Sequence, residues 1–452
     1  MPWRQWALVA SALLLSVPYR AQSSALSARL NEIASSYTAK NAFMGSVLVA
    51  QGDQVLLDRG YGSANLEWHI PNAPDVEYRL GSLTKQFTAT LILLLRQDGK
   101  LKIEDPVSKY LPDAPASWQR ITLAELLGHT SGIANFTSLK DFRTWSMAPH
   151  TIDEELAFFR DVPLEFEPGS RYAYSNSNYE VLGAIIEKVG DRRYATLLRE
   201  RILNPLDMKA TGVDRDDLVL PRRAAGYVPG LAGLSRVRSE SMSVPWAAGS
   251  IYSTTGDLLK WERGLFGGQL LSAESLRLMT TPGQGDYGLG VLIRDRGGLR
   301  VITHNGAIEG FNTYLAYVPE RRITVAVLAN VSGSAPDTMG PQLLDTVLGR
   351  AVILPTERKT VPIAAAQLAK FGGVFDLGPA ESLTVSVSEA GLTVHGSGRP
   401  AVAALYQGVR EGHPRFFIAP ADAEIEFVPA ADGSIASLIL HVAGQDLPAR
   451  SH

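Results

Sequence analysis

Hydrophobic and polar positions follow two different periods along this chain, and the changes of period mark its parts. Residues 45–58 (GSVLVAQGDQVLLD) read as two β-rich runs around Gly52-Asp53, the residue types a tight hairpin turn needs. Residues 287–303 repeat the pattern around Arg296-Gly297-Gly298, and residues 311–331 repeat it around Pro319-Glu320-Arg321. Ahead of the first hairpin, Leu26, Leu30 and Ile33 recur at helical spacing and predict an amphipathic helix over 26–38. Behind the last one, residues 343–348 read as a helix starting after Pro341. Hairpins at both ends of one long stretch, each flanked by a terminal helix, predict a single antiparallel sheet completed by the two chain ends. The segment between them is then an insertion.

That insertion, about 83–267, is mostly helix and loop. Its helix signals cover 84–97, 123–127, 152–159, 179–189 and 194–202, with Gly99 and Gly190 as stops. Around 354–361 (LPTERKTV) the composition shifts to a linker, and beyond it short β-rich runs return at turn-bounded spacings through 371–449. A small all-β domain, barrel or sandwich, is expected there. The division is therefore residues 1–21 as a signal peptide, 22–353 as the main domain, 354–364 as a linker and 365–452 as a β-rich accessory domain. The signal peptide rests on Arg4, the apolar run at 7–17 (ALVASALLLSV) and Ala21 at a cleavage position. Spanning a bilayer takes roughly 17 to 25 residues, more than that run supplies. A periplasmic or secreted protein with no stable membrane span after cleavage is expected.

Composition narrows the chemistry. The chain of 452 residues is 45% hydrophobic and 20% charged, with a formal net charge of −3. That balance offers no electrostatic basis for nucleic-acid binding and makes a small molecule or short peptide the expected partner. Cysteine is absent. Disulfides, thiolate metal sites and a cysteine nucleophile are excluded, so covalent catalysis would fall to Ser, Thr, Lys, Asp or Glu.

Ser82-Leu83-Thr84-Lys85 lies where an extended segment meets the helix over 84–97. Ser at a helix start reads either as an N-cap or as a nucleophile. Lys85 bears on the choice, because a cation in the first turn opposes the helix dipole and here shares its face with Ala89 and Ile92. Burying an ammonium costs several kcal/mol unless it is paired or loses its proton, so stability does not account for Lys85. A depressed amine one turn from a hydroxyl can take its proton. Tyr174-Ser175-Asn176, in EPGSRYAYSNSNYEVLG, and His304-Asn305-Gly306, after a strand over 299–303, each read alone as turn or core residues.

In combination and in this order, the three motifs resemble those of the serine β-lactamase and penicillin-binding-protein-like superfamily. The likeness is to its class C and D-alanyl-D-alanine carboxypeptidase branch (peptidase S12-like), which also holds esterases and D-aminopeptidases. Leu126–Ile133 (LLGHTSGI), Ala248–Leu258 (AGSIYSTTGDL) and His304–Phe311 (HNGAIEGF) match as well. The resemblance covers about residues 26–350 and implies an α+β fold: an antiparallel sheet flanked by helices, a helical subdomain and, less specifically, the C-terminal β-domain as an accessory barrel. It implies Ser82 as the acylated nucleophile, Lys85 and Tyr174 as the groups that move its proton, and Asn176 as a partner for substrate and Lys85. His304 and Gly306 would line the substrate, and the backbone N–H groups of Ser82 and Ala307 would form the oxyanion hole. Neither metal nor cofactor is implied. The expected function is an exported serine hydrolase, a D-alanyl-D-alanine carboxypeptidase or D-amino-acid peptidase acting on a substrate such as a cell-wall stem peptide. The alternatives are an esterase or weak β-lactamase and, outside catalysis, a penicillin-binding sensor without turnover. One departure is specific: β-lactamases of this branch carry Lys-Thr-Gly where this chain has His304-Asn305-Gly306.

Overall fold

A computed structural model describes residues 19–39, 42–230, 233–238, 240–354, 357, 360–378, 381–388, 391–396, 401–418, 423–442 and 445–451. The apolar run at 7–17 lies outside them. Helix α1 (Tyr19–Thr38) leads into β1 (Gly45–Gln51) and β2 (Gln54–Tyr61), turned by Gly52 at φ 57°. The inserted region contains α2 (Thr84–Gln97), α3 (Ile152–Phe159) and α4 (Ser177–Gly190). The chain then returns to the sheet through β3 (Leu292–Arg296), β4 (Leu299–Ile308), β5 (Phe311–Val318) and β6 (Ile323–Ala329), and closes with α5 (Ala335–Val347). Strand order is β3-β4-β5-β6-β1-β2, antiparallel throughout, with β1 and β6 joined by pairs such as Val47 opposite Val327. Residues from the two ends of the domain thus form one sheet, as the hairpin pattern predicts.

Both faces of this sheet are covered, and the period of two assigns each side chain to one of them. On β1, Val47 and Val49 face a core with Leu30 and Ile33 of α1 and Met339, Leu343 and Leu344 of α5. Leu48 and Ala50 face the other way, into the core that holds Phe87 and Ile92 of α2 and Leu182 and Ile185 of α4. Each fully buried Val or Leu is worth about 1.5–3 kcal/mol, so a one-residue slip of β1 would forfeit contacts on both faces at once.

Several elements differ from the sequence expectation, among them helix α1, which begins at Tyr19, seven residues ahead of residue 26. Helix α5 starts eight residues earlier than residue 343 and carries Pro341 inside it. An interior proline costs about 3 kcal/mol, and burial of Met339, Leu343 and Leu344 against the sheet offsets it. Strand β3 begins at Leu292 rather than at 287, because Gly290 turns the chain at φ 77°. Strand β4 runs on to Ile308, so His304, Asn305 and Gly306 lie inside the strand and pair with β5 rather than follow it.

The C-terminal domain is a closed antiparallel barrel of eight strands, β7 to β14 (Gly373–Gly378, Glu381–Ser388, Gly391–Gly396, Val402–Arg410, His413–Ile418, Ala423–Pro429, Ile435–Val442, Gln445–Ser451). Pairing of Phe375 with Ser451 closes the ring. Phe371, Phe375, Phe416 and Phe427 fill its centre together with Ile425 and Leu438. Closure removes the free edges that an open sheet of this length would expose.

Candidate active site

Ser82 lies in a single 3₁₀ turn, Gly81–Leu83, that runs directly into α2. Its hydroxyl caps nothing. The turn is clamped from two sides: Leu80 N–H donates to Ile251 O at 2.8 Å, and Thr313 Oγ1 on β5 donates to Leu80 O at 2.7 Å. Glycine is required on both surfaces of this contact. A Cβ on Gly306 would fall 2.0 Å from Leu80 O and 3.1 Å from Ser82 N, and one on Gly81 (φ 56°) would fall 2.8 Å from Ala307 N. The space at Gly306 is therefore filled by the Leu80–Ser82 turn itself, and that contact holds β4 against Ser82.

Lys85 is 0% exposed, and three oxygens surround its Nζ: Asn176 Oδ1 at 2.8 Å, Ala248 O at 2.9 Å and Ser82 Oγ at 3.1 Å. Tyr174 Oη donates to the same Ser82 Oγ at 2.7 Å. Burial brings the Lys85 ammonium down to about 7, against an opposing pull from Glu180. A neutral amine has two N–H groups and one lone pair. Two of its three neighbours, the Asn176 and Ala248 carbonyl oxygens, can only accept, which leaves the lone pair facing the one neighbour with a proton to give, Ser82. Burial pushes the Tyr174 phenol well above its ordinary range, with its Ser82 hydrogen bond opposing, so at neutral pH it is a donor.

Asn176 immediately precedes α4, which starts at Ser177, two residues before the helix expected from the sequence. Its side chain does not cap that helix: Oδ1 accepts a hydrogen bond from Lys85 Nζ, Nδ2 donates to Thr137 Oγ1 at 3.3 Å, and its backbone N–H donates to Asn135 Oδ1 at 3.0 Å. His304 is 2% exposed. Its Nδ1 lies 2.5 Å from Asn305 O, a carbonyl that only accepts, so Nδ1 carries the proton and Nε2 accepts from Tyr287 Oη at 2.9 Å. Burial lowers the imidazole to about 4, against the pull of the Asn305 carbonyl. His304 is neutral at pH 5 to 8 and both ring nitrogens are engaged, which removes the charged role that a carboxylate-binding histidine would need. Ala307 is exposed on β4, beside Gly81.

The structure thus brings together all seven residues singled out in the sequence, and it adds others. His129, at φ 58°, packs its ring 4.3 Å from Tyr174 and 4.7 Å from Tyr287, and its Nδ1 accepts the Ser175 N–H at 3.2 Å. It orients Tyr174 through ring packing. The LLGHTSGI segment pointed to it, whereas nothing local pointed to Ala248 O, Asn135 or Thr137. At the end of β4, Glu309 stands two residues after Ala307, and the tip it shares with Gly310 packs on Val237, whose Cγ1 would lie 2.5 Å from a Cβ on Gly310. Close by, burial and the charge of Glu309 push Glu240 up to about 7, against the pull of Arg79. Arg79 itself is paired with Asp214 at 2.8 Å.

A serine between a buried amine and a phenol, with a helix start behind it, defines an acyl-transferring serine hydrolase. The chain belongs to the Beta-lactamase family, whose model matches residues 31–347. It is 27% identical over 444 residues to penicillin-binding protein 4* of Bacillus subtilis, a match covering 90% of this chain and 94% of that one. The putative penicillin-binding protein PbpX of the same organism is 29% identical over 308 residues, covering 68% and 75%. Among solved structures, the octameric penicillin-binding protein homologue of Pyrococcus abyssi superposes with a TM-score of 0.68 at 25% identity, over 94% of this chain and 99% of that one. The D-amino acid amidase of Ochrobactrum anthropi SV3 superposes with a TM-score of 0.64 at 26% identity, over 72% and 98%.

Proposed function

We propose that this enzyme hydrolyses amide bonds of D-amino-acid substrates through an acyl-enzyme on Ser82, favouring substrates that present a free amine. The observation that carries the reading is the arrangement at Lys85 Nζ, where two carbonyl oxygens leave the amine lone pair for the Ser82 hydroxyl. Lys85 takes the Ser82 proton as Oγ attacks the substrate carbonyl. The backbone N–H groups of Ser82 and Ala307 receive the developing oxyanion, each worth about 3–4 kcal/mol in such a site. Tyr174 passes a proton to the leaving amine and recovers one from Lys85. Water then repeats the sequence in reverse and frees Ser82.

An amine end is favoured over a carboxylate end by the charges around the site. His304 is neutral and Arg79 is held in a cluster with Asp214 and Arg223, while Glu240 and Glu309 supply acceptors for an ammonium group. A D-alanyl-D-alanine carboxypeptidase would need a cation for the terminal carboxylate. The similarity to a D-amino acid amidase supports the same choice. Export rests on the apolar run at 7–17 and on relatives named as penicillin-binding proteins; no helix among the described residues is long and apolar enough to cross a membrane.

Turnover of D-phenylalanine amide, its N-acetyl derivative and a D-Ala-D-Ala peptide tests the reading. The free amide is expected to be the best substrate, and N-acetylation is expected to lower kcat/KM at least tenfold. A preference for the D-Ala-D-Ala peptide would replace this reading with the carboxypeptidase one.

A further inference from the structure

The Leu80–Ser82 turn is gripped from two directions, and the two grips differ in kind. On the helical side the acceptors and donors are mostly backbone: Leu80 N–H donates to Ile251 O at 2.8 Å, the Ile251 N–H donates to Thr84 Oγ1 at 3.1 Å, and Lys85 Nζ donates to Ala248 O. On the sheet side a side-chain hydroxyl takes over. Thr313 Oγ1 donates to Leu80 O at 2.7 Å, across 233 residues of chain. Its route runs through the notch at Gly306, where a Cβ would fall 2.0 Å from Leu80 O, 2.4 Å from Thr313 Oγ1 and 3.1 Å from Ser82 N.

Sheet packing does not call for this bond. Thr313 is 1% exposed in β5, with Gly306 and Leu328 opposite it on the flanking strands, and a valine would fill the same volume. Thr303, on β4, shows the ordinary pattern: its Oγ1 donates within the sheet, to Leu315 O on β5 at 2.7 Å. The Thr313 hydroxyl instead leaves the sheet for the turn. Satisfying the buried Leu80 carbonyl is the structural share of that bond. The place of that carbonyl gives the bond a second consequence.

Leu80 O and the Ser82 N–H belong to successive peptide units joined at Gly81, which stands at φ 56°, a conformation that glycine adopts at no steric cost. Such a hinge passes on an orientation only when the unit before it is held. Ser82 lies in the 3₁₀ turn that runs into α2, so its N–H is one of those that a helix start leaves without an intrahelical partner. Ala307 carries the other N–H read as the oxyanion hole. It follows Gly306 on β4, and Gly306 pairs with Thr313. Thr313 thus bears on both donors, through its backbone register with β4 and through its hydroxyl on Leu80.

We propose that Thr313 is a positioning residue for the oxyanion hole, its hydroxyl holding the Leu80–Gly81 peptide so that the Ser82 N–H stays aimed where the Ala307 N–H points. The proposal rests on Ser82 being acylated. Without the bond the Gly81 hinge relaxes and the Ser82 donor loses its aim, a loss felt by the transition state rather than by ground-state binding. Gly306 serves the same device by leaving the notch open.

The test is acylation of Ser82 by a fluorescent penicillin in the full-length chain, followed over a range of concentrations so that the maximal rate and the half-saturating concentration separate. Rates are taken per mole of enzyme that labels at saturation, so a smaller folded fraction does not count as slower chemistry. Thr313→Val is expected to lower the maximal rate about 10- to 100-fold, with the half-saturating concentration within about threefold of wild type. Affinity for phenylboronic acid should fall by a similar factor, because Ser82 Oγ adds to boron, its proton passes to Lys85 and a boron-bound oxygen takes the oxyanion position. Thr313→Ser keeps the hydroxyl and should stay within about threefold of wild type in both measurements. If Thr313→Val does not fold, Thr313→Cys, a weaker donor of similar size, takes its place with losses expected in the same direction. A maximal rate within about threefold of wild type without the hydroxyl, a Thr313→Ser enzyme equally slow, or slower acylation at unchanged boronate affinity overturns the proposal. Labelling that survives Ser82→Ala brings down the acyl-enzyme reading and the proposal with it, whereas no outcome in the Thr313 variants touches that reading.

Discussion

Lys85 in the main domain and Glu426 in the barrel are both charged residues withdrawn from water, and their surroundings push them in opposite directions. Glu426 is 7% exposed, yet cations and donors surround it: Arg415 Nη2 at 2.5 Å, His441 Nε2 at 3.0 Å and His413 Nδ1 in short contact. Burial would raise its carboxyl, but His413, His441 and Arg415 together hold it below the usual range, so it keeps its charge. The cluster lies on the outer face of the barrel, alternating with Ile425 and Phe427 in the centre, and it stabilises structure. Lys85 has neutral oxygens around it, and burial outweighs the pull of Glu180. It gives up its charge near neutrality, which is costly for folding and useful for taking a proton from serine. A buried charge that is fully paired indicates stability; one left short of partners indicates chemistry.

The largest expected effect lies on the Lys85 side. Ser82→Ala and Lys85→Met should each lower kcat/KM by about 10⁴-fold or more, as single removals from a cooperating nucleophile and base do. Amide turnover and fluorescent-penicillin labelling read this directly, and a Lys85→Met enzyme within tenfold of wild type would break the contrast. Next comes acid sensitivity of the main domain. His304 falls from an ordinary 6.5 to about 4 on folding, so between those values the unfolded chain binds more protons than the folded one. Its contribution is fully present above pH 6.5 and is lost as pH falls toward 4, amounting to about 3 kcal/mol. His129 is lowered in the same direction by burial. Denaturant midpoints of the main domain across that window are expected to drop, and His304→Asn should flatten the drop.

A smaller effect is expected on the barrel side. Glu426→Gln removes the charge that faces His413, Arg415 and His441 and should cost the barrel about 2–3 kcal/mol. Amide turnover should be unchanged, and a proportional fall in kcat/KM would show that the two regions are not independent. The smallest effect belongs to the exposed pair Arg215 and Asp217, 2.9 Å apart at the surface. Arg215→Ala should change stability by under about 0.5 kcal/mol, which calibrates the other two as consequences of burial.

The hairpins were legible because turn chemistry and alternation are local: Gly52-Asp53 and Pro319-Glu320-Arg321 stand where the chain turns. Ser82 and Lys85 were legible because a cation in the first turn of an apolar helix contradicts the local rule. Tyr174, Asn176 and His304 carried no signal singly and became readable only as an ordered set. Helix α4 began earlier than expected because Asn176 and Ser177 are turn formers by local preference, and tertiary contacts with Thr137, Ala134 and Lys85 hold them at its start.

By itself the sequence determined the elements, the two periods that assign side chains to faces, the absence of thiol chemistry and Ser82 as the candidate nucleophile. Only the tertiary structure decided the protonation states. Lys85 meets Ala248 across 163 residues of chain, and His129 and Tyr287 reach the site from separate elements. Whether an ammonium, a carboxyl or an imidazole keeps its proton depends on how much water is excluded and which dipoles face it. Those quantities belong to the packed interior and have no counterpart in local sequence.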